Sequence, residues 1–565
     1  MPANPSSTVR YGWFLLFVAG LGGLLYGVDV GIIAAALLYL GKTISLTVAQ
    51  TSLIVAAVLG GGMLSSLVAG VLADWFGRKK MMIASGLMFV TSVGLIVVSQ
   101  GFVPLFLGRL LQGMSGGVIA VVVPLYLAEC LSAGSRGKGT AIFQFMLNFG
   151  IVIAAVAGWY YTQQAETAIA AAAGNVALIT AAQNHAWRGM FLAVIYPGVI
   201  FFLGAFALSE SPRWLFRRGR TDAALAALRR ASSEEEATQE MREMETMAAA
   251  NQQRVATASS GSLLQRKYVV PFILACLILA LNQATGINSV LGFLVIILKH
   301  AGMTAQHATQ GDVAVKVLNC VMTLVAIALV DKKGRKFLLK IGTGGIVIAL
   351  VAGALLFVGV ESKHADVQSK IQAAVAGNSL VLPVSESSFG STATGQPMEL
   401  TVLYSYGDGD KVAAVLSNDQ DPVLRIVPDA TISNKPLVIK RALYGPVPTE
   451  SMGWLITICL GLFIASYSVG PGVVVWLALS ELMPTRIRSM GMGIALLLNQ
   501  GVSTLIAALF LPVVGNYGYY AMFFFWAGCT VLYFIIAAFF LPETKGKTLE
   551  EIERYFEQPK DNVAT

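Results

Sequence analysis

Apolar positions in this chain fall in long, nearly unbroken runs rather than in stripes of helical period or strand-like alternations. Twelve runs are long enough to cross a bilayer: 11–40, 49–73, 80–100, 102–127, 139–162, 188–208, 268–299, 312–330, 337–358, 452–480, 489–514 and 519–541. A spanning helix needs about 20 mostly apolar residues, so the pattern predicts twelve membrane helices. The first run has only Arg10 ahead of it, exceeds the length of a signal-peptide core and is closely followed by a second. It is read as a retained helix.

Two polar intervals stand out by length. The stretch 211–266 contains "TDAALAALRRASSEEEATQEMREMETMAAA", which predicts short helices lying against a membrane face, with Ser232–Ser262 equally readable as a solvated linker. The stretch 359–450 carries alternating patches, "MELTVLYSY" and "VLRIVPDA", among Gly, Ser, Asn and Pro, and predicts a small β-rich module outside the membrane.

The chain repeats itself. "DWFGRKK" at 74–80 returns as "DKKGRKF" at 331–337, and "AECLSAGSRGKG" at 128–139 returns as "SELMPTRIRSMG" at 480–491. In the second copy the two motifs stand roughly 95 residues farther apart, which the 359–450 interval accounts for. The expected class is therefore an all-α membrane protein with two parallel six-helix halves, the second interrupted by a β-rich insertion. The organisation follows: 1–210 the first half, 211–266 a cytoplasmic helical linker, 267–358 helices 7–9, 359–450 the extracytoplasmic insertion, 451–541 helices 10–12, and 542–565 a cytoplasmic tail.

Composition agrees with the membrane reading: 56% of residues are hydrophobic and 12% charged, against about 25% charged in soluble domains. The net charge of +8 need not mean an anionic partner. With the N-terminus inside, the basic clusters "DWFGRKK", "SAGSRGKG", 213–267, "DKKGRK" and "TRIRS" all fall on the cytoplasmic side. No nucleic-acid partner is expected. The five cysteines lie in or beside spans without CxxC spacing and read as packing residues. The four histidines do not form a metal site.

Three sets of polar residues remain. Asp74, Arg78, Glu129, Arg136, Asp331, Arg335, Glu481 and Arg488 sit at cytoplasmic helix ends, with the Glu-to-Arg spacing identical in both halves. They predict a latch of ion pairs that closes and opens with the halves, or charges that only enforce topology. Amides inside spans form the second set: Gln144, Asn282, Gln283, Asn288, Asn319 and Asn499. Such residues either bond helix to helix or converge on a ligand rich in hydroxyls.

The third is Asp29, within "LGGLLYGVDVGII". An ionisable group at membrane depth costs about 2.5–3.5 kcal/mol by insertion scales. At 1.5 Å per residue Asp29 lies about 27 Å along its outward-running helix, and Arg109 lies about 10 Å along the inward-running fourth, so the two reach similar depth. A carboxylate beside a cation stays ionised, and its separation from that cation favours proton uptake. The pair is thus either a proton-coupling switch or a permanent bridge between helices 1 and 4.

Taken together, "GGLLYGVDVGII", "DWFGRKK", "GRLLQGMSGGVIAVVVPLYLAEC", "SESPRWL", "NQATGIN", "DKKGRK", "GPGVVVWLALSELMPTRIR" and "LPETKGKTLEEI" resemble the sugar porter family of the major facilitator superfamily, over all twelve spans. The resemblance implies a major facilitator fold and a sugar site at Gln144, Gln283, Asn288, Asn319, Asn499, Trp476 and Gly472, with Asn282 standing where the family carries a second glutamine. It adds Glu210, Arg213 and Glu543 to the cytoplasmic latch. Proton symporters of the family carry an aspartate at the Asp29 position and an arginine at the Arg109 position, whereas its passive facilitators have a neutral residue in place of the aspartate. The chain departs from the family at Tyr26, usually Phe; at Gly292–Phe293, usually paired tyrosines; at Gln500, usually aromatic; and throughout 359–450.

The function expected is therefore a proton-coupled monosaccharide symporter working by alternating access. A facilitative uniporter and a transport-inactive sugar sensor are the alternatives; an enzyme is not expected. The partners expected are a monosaccharide, the proton and the lipid bilayer, with the chain acting as a monomer, without cofactor, in a bacterial inner membrane with both termini cytoplasmic.

Overall fold

Among the described residues the apolar runs become twelve stretches of helix of spanning length: Arg10–Gly31, Val48–Phe76, Arg78–Val98, Phe102–Cys130, Ala141–Ala171, Val176–Ala207, Tyr268–His300, Ala305–Val330, Arg335–Glu361, Glu450–Val475, Gly491–Tyr517 and Tyr519–Phe539, here spans 1–12. The computed structural model describes residues 5–556 except 132–135, 257–264, 377, 384–388, 390–397, 408–412, 419–422, 427–434, 484–486 and 544–554. Side chains are likewise undescribed at 5–9, 136–138, 140, 247–256, 267, 331, 413–418, 425, 476–481 and 488–490.

Three helix boundaries differ most from the hydropathy pattern. Spans 5 and 6 run on to Ala171 and back from Val176, joined by a four-residue turn in which Asn175 caps the second helix. The segment "TQQAETAIAAAA" interrupts the strongly apolar run with Gln, Glu and Thr, yet its alanines are strong helix formers, so the helix outlasts that run. Span 8 starts at Ala305, capped by Thr304, rather than at Asp312, which places Asp312 inside a helix instead of at its end.

Among the described residues four spans are discontinuous. Span 1 passes from Pro5–Gly31 to Ile33–Thr43, span 6 from Val176–Ala193 to Ile195–Ala207, span 7 from Arg266–Ala284 to Ile287–His300, and span 10 from Glu450–Val469 to Pro471–Leu482. In span 7 the break is set by Gly286 at φ 86°, whose missing Cβ admits the Trp526 ring. In span 10, Pro471 lacks the N–H that would continue the helix. Irregular backbone at membrane depth is tolerated only inside protein: Ile32 is buried at the break in span 1, Gly286 in span 7 lies against Trp526 of span 12, and Gly470 in span 10 lies against Leu338 and Gly342 of span 9. Span 1 packs tightly on span 5, where a Cβ at Gly27 would overlap the Leu147 carbonyl, the close approach that small residues allow in membranes. Outward-facing Leu67, Val71, Ile348, Ile458 and Phe539 are exposed, as a lipid-facing surface requires.

The starts of spans 1 and 7, the ends of spans 6 and 12 and the linker share one face, the linker face. There, helices Pro212–Arg217, Thr221–Ala231 and Glu234–Ala256 pack around Leu215, Ala224, Leu228 and Met241. The Arg230 guanidinium lies 4.4 Å from the Tyr11 ring centre and ties the linker to span 1.

The opposite face carries the insertion. Its strands are β1 (Ala365–Asp366), β2 (Leu380–Pro383), β3 (Met398–Tyr406), β4 (Ala413–Asn418), β5 (Val423–Ile426) and β6 (Leu437–Pro446). They form an antiparallel sheet in the order β1-β6-β3-β4 and a β2-β5 pair, around a core that includes Leu400, Val402, Leu424, Ile426, Ile439 and Tyr444. The predicted β-rich module is thus present, and its described residues include an unpredicted helix, Gln368–Ala373. It docks on the second half: Arg441 Nη1 donates to the Gly515 carbonyl of span 11 at 2.7 Å.

The sequence repeat is also a structural repeat. Between spans 2 and 3 Gly77 turns the chain at φ 96°, and Glu210 Oε1 accepts from the amides of Arg78 and Lys79 at 2.9 and 3.1 Å. Between spans 8 and 9 Gly334 does so at φ 88°, and Glu543 accepts from the amides of Arg335 and Lys336, both at 3.1 Å. In each half a carboxylate from beyond the sixth helix caps the N-terminus of the third, where orphan amides and the helix dipole favour negative charge. A Cβ at Gly77 would overlap Glu210 Oε2. Gly77→Ala should therefore lower stability by about 1–3 kcal/mol from backbone strain alone, with a further loss as Glu210 is displaced. Thermal unfolding in detergent checks this; an unchanged midpoint contradicts it.

Candidate functional site

Asp29 lies two residues before the break in span 1 and is fully buried, as is Arg109 on span 4. Arg109 Nη1 donates to Asp29 Oδ1 at 3.3 Å and, more closely, to Gln112 Oε1 at 2.7 Å, and its guanidinium lies 5.5 Å from the Phe191 ring centre of span 6. Charge-assisted bonds of this kind normally close to about 2.7–2.9 Å. The cation is thus held mainly by neighbours other than the carboxylate, and Asp29 Oδ2 has no hydrogen-bond partner. Such a carboxyl can take up a proton without first breaking a tight two-pronged bridge.

The predicted amides converge in two groups. In the first, Asn288 Nδ2 donates to Gln283 Oε1 at 3.0 Å and to Ser503 Oγ at 2.8 Å; Gln283 Nε2 donates to Asn499 Oδ1 at 3.2 Å, and Asn499 Nδ2 to the Leu279 carbonyl at 3.0 Å. This group straddles the break in span 7. In the second, Asn319 of span 8 bonds Asn148 of span 5 at 3.1 Å and accepts from Ser468 of span 10 at 2.6 Å, so it joins the two halves. Asn282 turns away from Gln283 and donates to the Tyr467 hydroxyl at 3.1 Å. Gly472 backs onto the same tyrosine, 3.3 Å from where a Cβ would stand to the ring. The carbonyl of Gln144 accepts from Asn148 at 3.1 Å. The side chain of Trp476 lies outside the described residues. Most of these bonds link one neutral side chain to another, and a hydroxyl-bearing ligand can replace either partner like for like.

Residues the sequence reading did not single out complete both groups: Asn148, Ser468, Tyr467 and Ser503. A signal was there for two of them. Asn148 follows Gln144 by four positions and Ser503 follows Asn499 by four, the spacing that shares a helix face.

A family model described as "Sugar (and other) transporter" matches residues 15–397 and 437–556. The chain belongs to this sugar transporter family. It is similar to the glucose transporter GlcP of Staphylococcus epidermidis, 27% identical with 96% of each chain covered. It is 25% identical to the human proton myo-inositol cotransporter, over 97% of this chain and 82% of that one. Among solved structures, the inward-open xylose transporter XylE from E. coli superposes with a TM-score of 0.65 at 21% identity, covering 96% of this chain and 99% of that one. The shared fold is that of the major facilitator superfamily, and the family match omits 398–436, the heart of the insertion.

Two departures of this sugar transporter from the family pattern meet in space: the Tyr26 hydroxyl of span 1 faces the Gln500 amide of span 11, across the two halves. At the third departure, Gly292 makes room for Val55 of span 2, and Phe293 stacks on Phe510 with ring centres 4.5 Å apart. A polar side chain at Gln500 and an aliphatic neighbour at Gly292 thus stand where the resemblance implies aromatic rings, while Tyr26 and Phe293 keep theirs.

On the linker face the described charges knit the first half together. Arg78, buried, reaches Glu129 at 2.8 and 2.9 Å and Asp74 at 2.9 Å. Glu129 also accepts from Ser211 Oγ at 2.5 Å and from Arg217 at 3.2 Å. Arg217 was not foreseen; it sits four residues beyond the predicted Arg213, which is half-buried on the same short helix. Glu210 and Glu543 act as the helix caps described above, and Arg335 contributes its amide to the second. The side chains of Arg136, Asp331, Glu481 and Arg488 lie outside the described residues.

Proposed function

We propose that this sugar transporter is a proton-coupled monosaccharide symporter working by alternating access. The observation that carries the reading is the loosely joined Asp29–Arg109 pair, fully buried two residues from a helix break. A carboxylate that served only to pin two helices would be expected to use both oxygens. The amide groups around Gln283, Asn288 and Asn319 supply the sugar contacts, with Gln144, Gly472, Trp476 and Asn499 completing the pocket. Similarity to relatives named as proton cotransporters, including the arabinose–proton symporter of Bacillus subtilis, points the same way.

In this reading the linker face is cytoplasmic, because the basic clusters gather there, and the insertion projects outward from a bacterial inner membrane. The charges at the linker face form the inner gate. The chain works as a monomer in the bilayer, with the proton as coupling ion and no cofactor. A facilitated glucose transporter of Xenopus laevis is also similar, at 26% identity, and in a uniporter the same pair would be a fixed bridge.

One measurement separates the two. Sugar added to de-energised cells or proteoliposomes should make the outer medium more alkaline as protons enter with it. Sugar that equilibrates with no pH change establishes uniport instead. Hexoses, pentoses and polyols tested in turn identify the substrate.

A further inference from the structure

A second pair of opposite charges lies buried in the membrane-spanning part, away from Asp29 and Arg109. On span 8, Lys316 Nζ is 2.8 Å from Asp312 Oδ2, one helical turn apart, with side chains 0% and 1% exposed. Lys316 Nζ also donates to the Gly31 carbonyl of span 1 at 3.0 Å. Gly31 ends the helical segment Pro5–Gly31, at the break of span 1 and two residues beyond Asp29. Among the described polar contacts that cross between the halves, the others named here are made by neutral groups: Asn319 with Asn148, the Leu511 amide with Ser52 Oγ, and the Tyr26 hydroxyl with the Gln500 amide.

The arrangement is costly and specific. An ion pair at i, i+4 on a helix surface needs no burial, yet this one is wholly withdrawn from solvent and lipid. Burying a pair is repaid only where geometry satisfies the remaining donors and acceptors. Here the extra bond goes to the Gly31 carbonyl at the one-residue interruption of span 1, where Ile32 keeps a helical backbone at φ −72° and ψ −27°. In transporters with broken helices such carbonyls help hold coupling cations; in this chain a tethered ammonium occupies the position. Asp312 Oδ1 has no hydrogen-bond partner, so the pair is held on the aspartate side by one oxygen and on the other half by one carbonyl.

We propose that Lys316, neutralised by Asp312, is a positioning residue of the transport cycle: a clamp on the break of span 1 that holds the module-face gate closed and lets go when that gate opens. The inference rests on the alternating-access reading. When the halves part at the module face, the bond to Gly31 must break, while Asp312 moves with Lys316 on span 8 and keeps the ammonium paired. The clamp therefore has two states, and the carbonyl it grips lies on the backbone that carries Asp29. Closure of the gate and the setting of the proton carboxyl become one movement.

The test is the distance between spin labels at Gly41→Cys, where a Cβ meets nothing within 4 Å, and at exposed Gln310→Cys, in full-length protein with the five native cysteines replaced. Wild type should populate a short and a long distance. Lys316→Met should shift the ratio about tenfold toward the long one, the expected consequence of losing one charged hydrogen bond. Lys316→Arg should restore most of the short population. Because Lys316→Met leaves Asp312 buried and unneutralised, the double variant Asp312→Asn/Lys316→Met, which buries no net charge, should be measured beside it and show the same shift. Folded double variant with a wild-type distribution overturns the clamp. A wild type with one distance in all conditions overturns both the clamp and alternating access. Two wild-type populations in a protein that causes no sugar-dependent alkalinisation would sink symport and leave the clamp standing on its own measurement.

Discussion

Asp29→Asn should abolish uphill accumulation of sugar while sparing sugar exchange. With one proton carried per sugar, each pH unit across the membrane can sustain about a tenfold concentration ratio; the variant should settle at a ratio of about one. The substitution removes the only titratable atom of the pair and keeps its shape. Arg109 retains its 2.7 Å bond to Gln112 and its place beside the Phe191 ring, so the fold around it should hold. Exchange of labelled for unlabelled sugar, which needs no net proton movement, should continue. The decisive assay is uptake into proteoliposomes under an imposed pH difference, with counterflow as its control. A variant that still concentrates sugar would show that Asp29 is structural and that the coupling proton binds elsewhere.

The second large effect is on stability. Arg78→Met leaves Glu129, whose side chain is 8% exposed, with the hydroxyl of Ser211 and the half-exposed Arg217 as its remaining partners. Removing one member of a buried, hydrogen-bonded ion pair typically costs about 3–5 kcal/mol, because the other is left uncompensated. Arg217 offsets part of this, so the lower half of that range is expected, read as a fall in the thermal unfolding midpoint in detergent. Arg217→Ala should cost under about 1 kcal/mol, as exposed pairs do. Equal losses in the two variants would mean that Arg78 and Glu129 do not form the buried centre of this face. The double variant Arg78→Met/Glu129→Gln should recover much of the loss, since no charge then remains buried.

Much of the architecture was legible beforehand because bilayer crossing is a one-dimensional requirement. Twenty apolar residues in a row leave few options, and the duplicated "DWFGRKK"-type motifs disclosed the two halves. The β module was legible from its alternation. Span ends were less so. Spans 5 and 6 outlast their apolar runs because helix propensity continues where hydrophobicity stops. The same limit applies to Asp312: the apolar run 312–330 begins at it, whereas the helix begins at Ala305 and makes it an interior residue locked to Lys316. Asp29 and Arg109 could be placed at matching depth by counting residues, but the looser grip on Asp29 and the tighter one on Gln112 could not, since both depend on how spans 1, 4 and 6 close around one guanidinium.

The linear chain alone determined what must be in the membrane, how many times it crosses, and which few polar residues are carried there at a cost. These are consequences of transfer free energy, and each run of residues bears them without reference to the others. Only the tertiary structure decided which of those polar residues meet. Asn148 joins Asn319 across the halves, Tyr26 faces Gln500, and Lys316 grips the broken end of span 1. A hydrogen bond or buried charge pair is favourable only within about 3 Å, and that spacing is set by helix packing between segments more than a hundred residues apart.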